Sequence, residues 1–222
     1  MDRTTKTNQM NSHLEELKKL GTLRQVRKQE CLYNRTSQDK YVYFLEKGIC
    51  ALTSTSSDGK EHIYQYFLPG DFICFTSAFN RQYPDDVFLA FAMMAKADCV
   101  LYQIPCSLFR SYVDEYPILY RWLFEKAVTH YDNALRHSYS LQEGDNFTSL
   151  CQALAELAVR QGSLYVLQKE FSYGELANYL GIHTITVTRL IARLKEMGIV
   201  RKNGHQTVIQ DMNQLKTLAS GQ

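Results

Sequence analysis

The sequence predicts an α+β fold with an N-terminal antiparallel, jelly-roll-like β-roll, a long central helix and a C-terminal winged helix-turn-helix. Short strand-like segments separated by turn residues fill much of the first hundred residues. A long apolar pattern with helical spacing follows Pro117, and two closely spaced helical patterns precede a β-prone hairpin. The predicted domains are residues 1–112 for the β-roll with a short N-terminal helix, 113–143 for the long helix, and 144–222 for the C-terminal domain.

Composition and charge narrow the class of protein. The chain has 222 residues, enough to bury a sizeable core, and it is 45% hydrophobic and 22% charged, as is typical of soluble globular proteins. A formal net charge of +2 indicates no strongly polyionic character overall. The first twenty residues are polar, and no apolar run approaches membrane-spanning length. We therefore expect a cytoplasmic protein without a membrane partner.

The six cysteines favour neither a disulfide scaffold nor a metal site, because no CxxC and no paired zinc-ligand spacing occurs. Most are expected to be core thiols, and no metal or cofactor is predicted. No paired nucleophile and base, phosphate loop or metal constellation supports an enzyme. A regulator that responds to thiol oxidation stays open as an alternative, with Cys74, Cys106 or Cys151 as the reactive group.

The β-roll prediction rests on two stretches, "CLYNRTSQDKYVYFLEKGICALTST" from Cys31 and "FLAFAMMAKADCVLYQIP" from Phe88. Gly48, "SSDG" at 56–59 and "LPGD" at 68–71 mark turns between strands. A short helix over residues near 12–20 precedes them. These features together favour an antiparallel barrel or roll.

The long helix begins after Pro117, a residue suited to a first helical turn. Its apolar residues cover about half the circumference, more than packing against one small sheet requires. We expect a homodimer in which a second copy covers the remainder, although a wholly intrachain helix is the alternative. The predicted dimer contacts are Leu119, Leu123, Ala127, Tyr131 and Ala134.

The C-terminal domain begins after a helix break in "LQEGDNFTSL". A helix around Thr148–Gln161 and a strand around Leu164–Leu167 are predicted next. The stretch "ELANYLGIHTITVTRLIARLKEMGIV" then has the spacing of a helix-turn-helix: Leu176, Ala177 and Leu180 line the first helix, and Gly181 permits the turn. Ala177 must be small because the second helix crosses close above it. The alternative is an ordinary helical hairpin.

Threonines and other β-branched residues crowd the second helix, although they disfavour helical structure. Val187, Leu190, Ile191 and Leu194 form one buried face, so the threonines lie on an exposed or partner-facing side. Between residues 183 and 205 five Lys or Arg accompany one acid, and a hairpin wing is predicted from Ile199–Arg201 and Thr207–Ile209.

This pattern suits a helix that enters the DNA major groove, with threonine methyls against thymine and arginine on guanine. The alternative for Arg189 is a solvated side chain. The predicted DNA contacts are His183, Thr184, Ile185, Thr186, Thr188, Arg189, Arg193, Arg201 and Lys202.

The order of roll, long helix and winged helix-turn-helix resembles the CRP/FNR family of bacterial transcription regulators. The similar stretches are "YVYFLEKGICAL", "DGKEHIYQYFLPGDFI" and "ADCVLYQIP" in the roll, together with the helix-turn-helix stretch quoted above. The resemblance implies a homodimer that binds a palindromic operator, senses its signal in the β-roll, and has RNA polymerase as a partner. A ligand or a redox event would then reposition the DNA-binding domains.

Departures from the family pattern bear on the signal. Cys74 and Phe75 in "GDFICF", and Leu89 and Ala90 further on, stand where cyclic-AMP-binding members hold a cyclic nucleotide. A cyclic phosphate would find no arginine there, so cyclic AMP is not expected. The first thirty residues hold no cysteine, which argues against the iron-sulfur cluster of the oxygen-sensing branch.

Haem ligation by His62 or Cys74 lacks a family-specific ligand context. We instead expect a small apolar or aromatic effector, although the same aromatic residues could simply fill the core. Many relatives carry Arg-Glu where this chain has Thr184-Ile185. Because threonine and isoleucine suit contacts with thymine methyl groups, we expect an AT-rich operator with a guanine for Arg189. The predicted effector pocket consists of Phe72, Phe75, Phe88, Phe91 and Tyr131.

Overall fold

The computed structural model describes residues 3–33, 41–57, 59, 61–79, 91–143, 145–204 and 206–221. The chain packs into two compact units. The first contains Met1–Thr55 and Tyr66–Val128, and the second contains Ser56–Gln65 and Thr129–Gln222. The division between them falls inside the long helix, which was predicted as a separate segment at 113–143. Among the described residues, no helix combines the length and the apolar character needed to span a membrane.

The first unit is the predicted β-roll. Its elements are α1 (Arg3–Lys19), β1 (Thr22–Val26), β2 (Cys31–Tyr33), β3 (Tyr41–Lys47), β4 (Cys50–Thr55), β5 (Glu61–Phe67), β6 (Phe72–Ile73), β7 (Phe91–Ala95), β8 (Cys99–Pro105) and α2 (Cys106–Glu115), although most of β5 is grouped with the second unit. The strands lie in two four-stranded antiparallel sheets with the orders β1-β8-β3-β6 and β2-β7-β4-β5. A short 3-10 helix at Phe75–Ala78 follows β6. Helix α1 is longer than predicted, and α2 was not predicted.

Two apolar clusters make the core of this unit. One joins β3 and the 3-10 helix to α2 and the start of the long helix, and includes Phe72 and Phe109 with their ring centroids 5.3 Å apart. The other includes Leu45, Cys50 and Leu101 from the two sheets. The turn before β4 requires glycine, because Gly48 has φ +100° and a Cβ there would lie 2.6 Å from the Asp98 carbonyl oxygen.

The long helix, α3 (Ile118–Glu143), corrects part of the predicted dimer contact. Leu119 and Leu123 are 0% and 4% exposed because they belong to the core of the first unit. Ala127 is partly buried against the same cluster, whereas Tyr131 and Ala134 are exposed. The sequence pattern was apolar on both sides of the helix, so it did not separate the residues that pack within the chain from those left uncovered.

The C-terminal part of the second unit contains four helices and a four-stranded antiparallel sheet with the order β11-β12-β10-β9. Its elements are α4 (Asn146–Leu157), β9 (Val159–Gln161), β10 (Leu164–Leu167), α5 (Tyr173–Leu180), α6 (Thr184–Glu196), β11 (Val200–Asn203), β12 (Gln206–Ile209) and α7 (Met212–Ala219). The prediction that α4 continues to Gln161 is wrong. Ala158 is extended, and the next three residues pair with β10 instead.

Candidate nucleic-acid interface

The helix-turn-helix is formed by α5, a turn at Gly181, and α6. The Ser172 side chain caps α5 by accepting a hydrogen bond from the Glu175 amide at 3.2 Å. At the other end Gly181 adopts a left-handed conformation with φ 65°, and the Ile182 amide donates to the Ala177 carbonyl at 3.0 Å. This geometry is that of a helix closed by glycine, so the chain reverses sharply into α6.

One face of α6 packs into the second unit. Val187, Ile191 and Leu194 are fully or almost fully buried, and Ala177 on α5 is buried as well. Leu190, which was predicted for the same face, is only partly buried. Burial of this stripe offsets the weak helix propensity of the threonines, because packing contributes more than propensity to the stability of a helix in a protein.

The opposite face of α6 presents an uncovered set of side chains. Ile185 is 74% exposed. Thr184 and Thr188 are also exposed, and the Thr188 hydroxyl donates to the Thr184 carbonyl at 3.0 Å. The remaining predicted contacts of this helix are His183 and Arg189, which are exposed, and Thr186, which is partly buried.

The β11–β12 hairpin places the other basic groups of the unit. Arg201 and Lys202 are exposed on β11, and the hairpin reverses at Gly204, whose φ is +58°. The Lys202 ammonium lies 4.7 Å from the centroid of the Tyr173 ring. Burial, helped by the charge of Lys195, lowers the pKa of Lys202. A nearby anion such as phosphate would favour the charged ammonium and so raise this pKa again.

Arg193 has a structural role that the sequence analysis missed. Its guanidinium lies 4.1 Å from the centroid of the Phe147 ring, so it stacks α6 on α4. The side chain remains exposed, but its position is fixed by this contact. The spacing of charges along α6 gave no signal for it, because Phe147 lies forty-six residues earlier in the sequence.

The structure describes four of the five residues predicted to surround an effector, and their grouping as one pocket stays a prediction. Phe72 and Phe75 are buried in the first unit, and the Phe72 ring packs against Phe44, Phe109 and Trp122 with centroid distances of 5.0, 5.3 and 5.5 Å. Phe91 is partly buried on β7. Tyr131 belongs to the second unit and is exposed. Phe88 lies outside the described residues.

Comparison with known proteins identifies both parts of this architecture. A model of the cyclic nucleotide-binding domain matches residues 23–116, and a model of the Crp-like helix-turn-helix domain matches residues 149–218. The chain belongs to the CRP/FNR family of transcription regulators. This CRP/FNR regulator is therefore a DNA-binding protein, and the matched C-terminal segment contains the whole of the helix-turn-helix and its wing.

Curated relatives of this CRP/FNR regulator are similar along most of their length. The anaerobic regulatory protein of Pasteurella multocida is 25% identical over 84% of this chain and 68% of its own. The transcriptional activator protein anr of Pseudomonas aeruginosa is 25% identical over 94% of this chain and 84% of its own.

Solved structures share the fold. FixK2 from Bradyrhizobium japonicum is 22% identical, with a TM-score of 0.72, over 89% of this chain and 96% of its own. A CooA mutant from Carboxydothermus hydrogenoformans is 19% identical, with a TM-score of 0.67, over 92% of this chain and 90% of its own.

Proposed function

We propose that this regulator is a homodimeric transcription activator that reads a palindromic, AT-rich operator with α6. The observation that carries the proposal is the exposed face of α6, where Ile185 and two threonine side chains stand beside Arg189. Aliphatic and methyl groups suit the thymine methyl in the major groove, and arginine suits the two acceptors of guanine. The wing residues Arg201 and Lys202 supply charge for the phosphate backbone.

Activation is the role named for relatives such as the transcriptional activator protein anr. An activator of this kind acts on RNA polymerase, which is the partner that the family resemblance also implied. The proposed order of events is operator binding by α6, followed by contact with the polymerase.

The proposed dimer uses a stripe of exposed apolar residues on α3, here called the apolar stripe. Phe124 is 68% exposed and Tyr131 is 63% exposed. These residues recur every three or four positions, the spacing that places them on one side of a helix. A row of exposed large apolar side chains along one side of a helix is typical of a protein interface. The apolar stripe consists of Tyr120, Phe124, Val128, Tyr131, Leu135 and Tyr139.

The proposed signal is a small effector other than cyclic AMP. Phe72 and Phe75 pack as core, which supports the alternative in which these aromatic residues fill the roll. A thiol signal is less favoured. Burial raises the pKa of the Cys151 thiol to about 12, which lowers its reactivity. The buried sulfur atoms of Cys50 and Cys99 lie 3.7 Å apart.

The proposal is tested by selecting duplexes from a randomised pool with the full chain and measuring their binding by fluorescence anisotropy. We expect an enriched two-fold symmetric, AT-rich sequence with a guanine in each half-site. In Ile185→Ala the preference for thymine should weaken, because the methyl contact is lost. Ala192→Ser, on the same exposed helix but away from its first turn, is the matched control. Enrichment of an asymmetric or GC-rich sequence would contradict the proposal.

A further inference from the structure

A cavity of about 390 Å³ lies within the second unit, away from the exposed face of α6. Side chains from α3, α4, α5 and α7 line it, and its size is in the range of small-molecule sites. None of the described residues among those predicted to surround an effector contributes to it. Its lining combines apolar surface with polar side chains, among them Asp132, Arg136, Gln152, Glu156, Tyr179 and Lys216.

Ser149 in this lining has an unused hydroxyl. The residue is 6% exposed, and its Oγ is the buried side-chain oxygen or nitrogen that lacks a hydrogen-bond partner within the described part of the chain. Leaving a buried hydroxyl unbonded costs free energy, and few native side chains do so. Rotation about the Cα–Cβ bond can turn this hydroxyl toward a molecule in the cavity.

Charged groups of both signs reach the cavity without pairing with each other. Arg136 and Lys216 make no ion pair with a described residue. The Glu156 carboxylate accepts long hydrogen bonds from the Tyr179 hydroxyl, at 3.5 Å to Oε1 and 3.4 Å to Oε2. Burial raises the pKa of Glu156 to about 7, although the Tyr179 bond and the charge of His130 oppose the shift. A cation next to this buried carboxyl group would stabilise its ionised form.

The polar groups on α4 follow one side of the helix. Ser149, Gln152 and Glu156 are spaced by three and four residues, so they face the cavity together. Ser149 is in the first turn and Glu156 is in the last, about 10 Å apart along the axis at 1.5 Å per residue. The Gln152 amide is tied to the Ala219 carbonyl of α7 at 2.8 Å, which fixes the middle of this row.

We propose that this cavity binds a small zwitterion that carries an ammonium group and a carboxylate, such as an ω-amino acid. The ammonium lies against Glu156 and the Tyr179 hydroxyl, and the carboxylate lies against Arg136 and Lys216, with the Ser149 hydroxyl as an additional donor. A zwitterion bound in this way pairs with Glu156 at one end and with Arg136 and Lys216 at the other.

The cavity stays open in the proposed dimer. At about 100° per residue, the α3 residues that line the cavity are centred about 140° around the helix from the apolar stripe. A partner helix on the apolar stripe therefore leaves this side of α3 free. Because α5 belongs to the helix-turn-helix, the bound zwitterion links α3 to the DNA-reading unit; this consequence rests on the proposed function.

Isothermal titration calorimetry with the full chain tests the proposal, using 4-aminobutanoate, 5-aminopentanoate and 6-aminohexanoate as probes. We expect saturable binding of at least one of them. Hexanoate and hexylamine, each of which lacks one of the two charged groups, should bind at least tenfold more weakly than the matching amino acid. Absence of saturable binding by all three amino acids at millimolar concentration overturns the proposal, and so does equal binding of hexanoate or hexylamine.

Two variants test whether the probe binds in the cavity. Arg136→Gln should weaken binding at least fivefold, whereas Lys169→Gln, an exposed lysine of the same unit outside the lining, should leave it unchanged. Equal loss in both variants, or in neither, contradicts the assignment. Operator binding measured without the probe reports on the proposed function separately, so either proposal can fail while the other stands.

The pH dependence gives a second readout. With Glu156 ionised in about a tenth of molecules at pH 6 and nine-tenths at pH 8, probe affinity should rise about tenfold between them. Glu156→Gln should remove this rise, and a rise that persists in Glu156→Gln contradicts the assignment of the ammonium. The other titratable or charged groups around Glu156 are His130, Asp132, Arg136, His137, Tyr179 and Lys216.

Discussion

Replacing Glu156 by glutamine should stabilise the second unit, and the gain should grow with pH. Burial raises the pKa of this carboxyl from 4.5 to about 7 in the folded chain. The folded state therefore holds a proton that the unfolded state releases between these two values. Stability from this group is fully present below pH 4.5 and is lost as the pH rises through 7.

The size of the effect follows from the shift. One pKa unit corresponds to 1.36 kcal/mol, so ionising Glu156 in the folded state costs about 3 kcal/mol by pH 8. Glutamine does not titrate and can still accept a hydrogen bond from the Tyr179 hydroxyl. Glu156→Gln should thus unfold with nearly the same free energy as the wild type near pH 4.5 and with about 3 kcal/mol more at pH 8.

Urea unfolding followed by circular dichroism at several pH values measures this difference. Hydrogen exchange of the α4 and α5 amides reports on the stability of the second unit itself, because a chain with two compact units need not unfold in one step. Glu196→Gln, at the exposed end of α6, is the matched control for removing one negative charge. A difference that stays constant or shrinks as the pH rises would refute the reasoning.

Three further predictions concern the interfaces and the fold. Phe124→Glu combined with Leu135→Glu should convert the dimer to a monomer in light scattering, because both exposed side chains lie in the apolar stripe; an intact dimer contradicts that assignment. Leu119→Ala should instead destabilise the first unit by about 2 to 5 kcal/mol in urea unfolding and leave the dimer in place, because Leu119 is core; dissociation without destabilisation contradicts this. Ser172→Ala should cost about 1 kcal/mol of stability by removing the cap of α5, and an unchanged thermal midpoint counts against the cap.

Local sequence patterns, such as helical periodicity and turn residues, predicted most of the fold. The helix-turn-helix could be predicted because three of its residues each satisfy a local constraint. Ala177 allows the helices to cross closely, Gly181 adopts the left-handed turn, and Val187 lies on the buried face. The wing followed from β-prone residues around a turn, and its strands lie within a residue or two of the predicted ones. The end of α4 was misplaced because the pairing of β9 with β10 is a tertiary contact.

Features that depend on contacts between distant residues could not be predicted. Leu123 and Phe124 are adjacent and both apolar, yet one is core and the other is exposed, which only the packing of α3 decides. The stacking of Arg193 on Phe147 and the polar cavity around Ser149 join separate helices, so no spacing in the sequence indicates them.

The central claim is that α6 reads base edges while the wing holds phosphate. The most direct test measures Arg189→Ala and Lys202→Ala against single-base variants of the selected operator at two salt concentrations. Arg189→Ala should cost about 1 to 3 kcal/mol at the preferred operator and lose its preference at one base pair in each half-site. Lys202→Ala should weaken all sequences alike and reduce the salt dependence. An unchanged base preference in Arg189→Ala would contradict the account.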